Sequence, residues 1–256
     1  MTANQMADSL ELKLDRSSSY GSPGYEDFEL SSVLTEAQQL YVKKFYDEMN
    51  NRKGKGFQEI EIRDQGLAAL IQDAASVTPS ASQLGVTKYG KFFDLPLNHM
   101  YTIFEECTID KTDCSTGEFT IAYIVQVAHN EFQRYDWSKY KKPFYTNYGD
   151  SRVWRSEYSR LITGIDPTVT ATAKRHELIT DGTFNVTNYH MRYLKNPENI
   201  VVDRTTTNNQ RNCELDDSTH VVIVDIATDL MLQRVKEQKL QIVEPFKVLQ
   251  SVIFVL

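Results

Sequence analysis

The chain has 256 residues, 41% apolar and 25% charged. That is enough to bury one large core or two small ones without metals or disulfides. A formal net charge of −7 argues against a general nucleic-acid coat, whose affinity comes from cations on phosphates. Three cysteines (Cys107, Cys114, Cys213), odd in number and without a CxxC pair, argue against a disulfide framework or a zinc ribbon. They read as buried thiols, with a Cys107–Cys114 pairing across a hairpin left open.

Residues 1–27 read as an extended N-terminal arm. Leu10, Leu12 and Leu14 alternate with polar residues, which predicts a short strand in need of a sheet edge on a neighbour. The run Ser17 to Gly24 is rich in turn residues. A helical hairpin is expected over 28–75. Its first helix, about Ser32 to Asp47, carries Val33, Ala37, Leu40, Tyr41 and Phe45 at helical spacing, and Thr35–Gln38 reads as a capping box. Its second, about Phe57 to Ala75, carries Ile60, Leu67, Leu70, Ile71 and Ala74. A loop over 76–99 leads to a β-rich region over 100–216, whose strongest strand is Glu118–Val127, with further β-rich stretches at Thr168–Thr172 and Phe184–Leu194 and a helical turn at Glu131–Tyr135.

The last helix, 217–240, is expected to begin at an Asp217 N-cap and to pack with the hairpin. Ile223, Ala227, Leu230, Met231 and Val235 form one stripe, while Val221, Val224 and Leu232 add apolar side chains elsewhere. A helix apolar on more than one face is buried on more than one side, so a second subunit is a natural cover. The tail, 241–256, ends in five consecutive apolar residues that include Phe254, and these are expected to dock. Leu10, Leu12, Leu14, Leu232 and Phe254 are therefore the candidate interface residues.

No nucleotide loop, zinc-protease helix or nucleophile elbow occurs in the sequence. The five histidines (His99, His129, His176, His190, His220) are far apart, and no pair has metal-ligand spacing. His220 is expected at the surface or an interface, or as an anion contact. Glu105 and Glu106 point to opposite faces of a strand and read as a solvated edge. Ser138 to Tyr145 mixes basic and aromatic residues, a composition that serves a subunit contact or a stacking surface for nucleic acid. These observations predict no catalytic residue, no cofactor and no metal.

The order of elements carries a further signal. Leu34-Thr35-Glu36-Ala37-Gln38-Gln39-Leu40-Tyr41-Val42 is followed by Gly56-Phe57-Gln58, then by Arg63-Asp64-Gln65-Gly66-Leu67-Ala68-Ala69-Leu70-Ile71. Tyr193-Leu194-Lys195-Asn196-Pro197-Glu198-Asn199-Ile200 comes later, and Glu214-Leu215 precedes the last helix. This arrangement resembles the neck ring, or head-to-tail connector, subunits of crAss-like bacteriophages. The resemblance implies a homo-oligomeric ring, usually of twelve subunits, stacked below the portal protein and beside other neck and tail rings. DNA would pass through its channel without sequence-specific binding. It also implies a virion component assembled in the bacterial cytoplasm, with no membrane partner. The expected fold is α+β, a helical part with a β-rich insertion, and the expected function is structural. Another virion component, a tail or baseplate subunit, shares these features; an enzyme would need a cleft where a cysteine meets a histidine.

Overall fold

A computed structural model describes residues 1–17, 24–46, 65–74, 89–111, 120–138, 140–146, 150–158, 174–205 and 207–234. The fold is α+β, with helices at both ends of the described chain and strands between them. Two compact units account for it: residues 1–70 with 197–256, and residues 71–196.

The first unit is helical. Helix α1 spans Ala3–Ser17 and helix α2 Asp27–Tyr46. The strand predicted from Leu10, Leu12 and Leu14 is therefore a correction: these residues are helical, and the described part of the N-terminal arm is not extended. The competing pattern is Ala3, Met6, Ala7, Leu10 and Leu14, spaced three and four residues apart; all five are buried, whereas Leu12 is 55% exposed. A three-residue alternation inside a helical period misled the reading. Helix α2 starts earlier than expected, because Leu30 extends the buried stripe toward the N-terminus. The backbone N–H of Glu26 donates to Glu29 Oε2, which forms the N-terminal cap. The predicted box at Thr35 lies mid-helix instead.

Helix α4 covers residues 217–234 of the described chain. Its cap is Asp216, whose carboxylate accepts from the backbone N–H of Ser218, one residue before the predicted cap. Between the β unit and α4 the chain runs beside α2, and polar side chains of α2 satisfy its backbone at every second residue. Ser31 Oγ accepts from Val202 N–H, Thr35 Oγ1 accepts from Ile200 N–H, and Gln38 Nε2 donates to the Glu198 carbonyl. Helix positions 31, 35 and 38 thus meet extended positions 202, 200 and 198 in antiparallel order. Thr35 and Gln38, read from sequence as capping residues, serve this ladder. On its other edge, Val201 exchanges two backbone hydrogen bonds with Arg211.

The second unit is a mixed sheet with seven strands among the described residues: β1 (Ile71–Ala74), β2 (Gly90–Asp94), β3 (His99–Lys111), β4 (Thr120–Gln126), β5 (Arg152–Tyr158), β6 (Arg175–Ile179) and β7 (Phe184–Lys195). Their order is β1-β7-β3-β4-β5-β6-β2, antiparallel except for β4–β5. Strand β1 replaces the end of the predicted second helix: Ile71 to Ala74 pair with Leu194 to Met191. Four apolar-containing residues at the end of a helical pattern do not resist a partner strand as long as β7. Residues 65–70 of that predicted helix are helical, ending in a 3-10 turn at Ala68–Leu70, while residues 57–64 lie outside the described residues, as do Thr168–Thr172 and residues 76–88 of the predicted 76–99 loop, whose described end holds β2. The parallel pair is bridged by a crossover containing α3 (Phe132–Trp137).

The sheet is curled. His176 on β6 hydrogen-bonds Tyr189 on β7, although four places separate the two strands in the sheet order. Lys91 on β2, at the opposite edge, donates to the Val186 carbonyl. The concave side holds the main core, including Phe93, Ile109, Leu178, Phe184 and Tyr189. The turn from β6 to β7 is Asp181-Gly182: Gly182 has φ +89°, and Asp181 Oδ1 accepts from Thr183 N–H.

Candidate functional site

Two kinds of feature stand out: a buried polar ring in the β unit, and exposed apolar or aromatic surfaces. The ring is formed by β3, β5, β6 and β7. Arg155 Nε lies 3.1 Å from Glu105 Oε1, and another guanidinium nitrogen lies 3.0 Å from His176 Nε2. His176 Nδ1 is 2.7 Å from Tyr189 Oη, which donates to Glu105 Oε2 at 2.7 Å. Arginine can only donate, so His176 Nε2 is the acceptor and the imidazole carries its proton on Nδ1. The ring then closes, with the Arg155–Glu105 contact an ion pair in which Nε makes no hydrogen bond. His99 sits beside it, its ring centroid 6.0 Å from that of His176 and 5.6 Å from that of Tyr193.

Burial, then the nearby Arg155 charge, hold His176 well below the usual histidine range. Burial, with Lys174 and Arg155, pushes His99 down to about 4. Burial raises Glu105 against the opposing pull of Arg155, and raises Tyr189 further still. Glu105 is thus an interior residue, which corrects its reading as a solvated edge; Glu106, on the other face, pairs with His190. The histidine pairing escaped sequence reading because 77 positions separate His99 from His176, and only strand order brings them together. The ring's cysteine neighbour Cys107 is pushed up to about 12 by burial and is a core thiol. Cys213 is also buried, at about 11; Cys114 lies outside the described residues. Among the described residues no three His, Cys, Asp or Glu side chains form a metal site.

The predicted interface residues divide. Leu10 and Leu14 belong to the helical unit's own core. Leu12 is exposed and Leu232 half-buried, while Phe254 lies outside the described residues. Val221 and Val222 are exposed on α4, and Val224 is buried. His220 is a correction: it is 3% exposed, its Nε2 lies 3.0 Å from the Leu215 carbonyl and its Nδ1 3.2 Å from Asp217 Oδ1, so it is an interior residue and not a surface one.

Sequence reading missed the outer sheet face, where Phe104, Ile121 and Tyr123 are more than half exposed. It also missed Phe28, 80% exposed beside a groove between α2 and residues 199–202. The basic–aromatic segment is firmly held. Trp154 Nε1–H donates to the Lys141 carbonyl, an Arg152 guanidinium N–H to the Tyr140 carbonyl, and Lys141 Nζ sits 4.4 Å from the Tyr135 ring centroid. Trp137 and Tyr140 are each 88% exposed. No described helix is long and apolar enough to cross a membrane.

Comparison with known proteins gives this surface-dominated molecule its relatives. It is similar to "Ring protein 4/5" of Bacteroides phage crAss001, at 25% identity over 241 residues, covering 90% of this chain and 92% of the relative. It is also similar to "Ring protein 3" of the same phage, at 23% identity over 214 residues, covering 81% and 84% respectively. The family model described as "Phage tail ring protein 3/4" matches residues 1–240, across both units, and the chain belongs to that family.

Proposed function

We propose that the protein is a non-enzymatic structural subunit that forms a homo-oligomeric ring in the head-to-tail connector of a tailed phage, around the DNA channel. The family match over residues 1–240 carries this reading, since it spans both units and not one shared fold element. The exposed apolar side chains on α3, α4 and the outer sheet face support it, as surfaces that a partner would cover. The partners are further copies of the chain, the portal protein and adjacent neck or tail rings, and the location is the virion. The acidic balance suits a channel past which DNA slides without sequence-specific binding.

Cryo-electron microscopy of purified particles tests the placement. The expected result is ring density for this chain on the particle axis between portal and tail; density only in the distal tail or baseplate would move the protein there. Leu232 and Phe254 are proposed ring contacts. Leu232→Lys is expected to leave the isolated protomer folded, judged by circular dichroism, and to abolish ring density, because at this half-exposed position the charge reaches water in the free protomer but not once a neighbour covers it.

A further inference from the structure

The net charge is unevenly placed. Residues 1–46 and 197–234, the bulk of the helical unit, carry 14 Asp and Glu against 7 Lys and Arg, whereas residues 71–196 carry 14 of each. Within the balanced unit, residues 131–152 hold five Lys and Arg against three Asp and Glu, together with 7 of the chain's 28 aromatic residues. Two surfaces of opposite character follow. One, on α3 and the turn after it, presents Trp137 and Tyr140, each 88% exposed, flanked by exposed Arg134, Lys141 and Lys142. Its backbone is pinned by the hydrogen bonds from Trp154 and Arg152, so the aromatics form a platform already ordered for contact. The other is the outward face of α4. Val221 (54% exposed) and Val222 (42%) lie there with Asp225 and exposed Asp229, which follow at helical spacing.

We infer that these surfaces meet between neighbouring copies: the basic aromatic platform of one protomer docks on the acidic, valine-bearing face of α4 of the next. The inference rests on the ring reading above and names its contact. Trp137 and Tyr140 would cover Val221 and Val222, while Lys141 and Lys142 face Asp225 and Asp229. Aromatic anchors ringed by opposite charges are what concentrated interfaces use. A contact between two different patches is head-to-tail, the kind that generates a ring when its rotation closes. Part of the acidic face is already engaged, since Asp225 also meets Lys13, and Lys142 meets Asp136 at 3.4 Å. The apolar pairs therefore supply affinity, and the charges supply orientation.

Charge exchange tests it in the full-length chain. Variant one carries Lys141→Glu and Lys142→Glu; variant two carries Asp225→Lys and Asp229→Lys. All positions are exposed, so circular dichroism and melting temperature are expected to stay near those of the parent. By sedimentation velocity, the parent is expected to assemble and each variant to remain monomeric. An equimolar mixture of the two is expected to assemble again, because each mutated surface then finds its complement, and one chain with all four changes is expected to assemble alone. Trp137→Ala with Tyr140→Ala is expected to give monomers that no charge exchange rescues. Assembly of both variants alone, or no rescue on mixing, overturns the pairing while leaving the ring reading intact. A parent chain monomeric at every concentration overturns both.

Discussion

At the residue scale the molecule's most constrained group is His176. Its Nε2 must accept from Arg155, so protonating it sets an imidazolium N–H against a guanidinium and opens the ring. Both His176 and His99 are held neutral in the fold, so their folded-state affinity for protons is below the unfolded value of about 6.5. The unfolded chain therefore binds more protons as pH falls. Stability contributed by the neutral imidazoles is present above about pH 6.5 and declines below it, by up to about 1.4 kcal/mol per pH unit for each histidine. For His99 the decline ends near pH 4. Glu105 acts in the opposite sense: its raised folded-state value makes its contribution favourable at low pH and lost as pH rises through that value. The titratable and charged groups around His176 are Arg155 on β5, His99 and Glu105 on β3, and Lys174 just before β6. Both tryptophans lie in the β unit, so their fluorescence reports on that unit alone. Fluorescence melts between pH 7 and pH 4.5 are expected to show a falling midpoint. In His176→Gln, which accepts from Arg155 and donates to Tyr189 without titrating, the slope is expected to flatten; an unchanged slope would refute this role. None of the ring was legible from sequence, where Glu105 looked like an edge carboxylate, because its members meet through strand order and not spacing.

At the scale of elements, period carried most of what sequence could say. β4, β7, α2 and α4 emerge where periodicity places them, with shifted ends. The failures have physical reasons. In α1, the leucine alternation coincided with a polar helix face, and the small residues Ala3 and Ala7 hid the true stripe. Leu10→Ala is expected to cost about 2–5 kcal/mol of helical-unit stability, measured by chemical denaturation followed by far-UV circular dichroism. A surface-like effect below about 0.5 kcal/mol would show that α1 is not part of that core. The ladder between α2 and residues 198–202 was invisible because it joins side chains to backbone across about 165 positions. Thr35→Val removes the hydroxyl that serves Ile200 N–H in nearly the same volume. It is expected to cost about 1–3 kcal/mol in the same assay, and to speed amide exchange at Ile200 above that at Val202.

For the whole molecule, the order of elements reached the α+β class, and the resemblance carried by the stretches between Leu34 and Ile71 and after Tyr193 reached the ring-protein family. The particular surfaces were less accessible. Of the five residues picked as contacts, Leu10 and Leu14 proved to be core, since burial within a protomer and burial between protomers leave the same apolar mark in a sequence. Exposure separates them: Phe28, Trp137 and Tyr140 become candidate contacts only once the fold shows what it leaves uncovered.

The β unit enters through β1 and leaves through β7, and these strands pair, with Ile71 opposite Leu194. The segments that lead into and out of the unit therefore start from neighbouring strands of one antiparallel pair. Such a doorway makes residues 71–196 a cassette. It can be lengthened, replaced or lost without the helical unit having to span a new distance. Joining Leu70 to Pro197 through a few Gly and Ser residues is expected to give a chain that retains helical circular dichroism and melts cooperatively. Loss of that transition would mean that the helices depend on the module they carry.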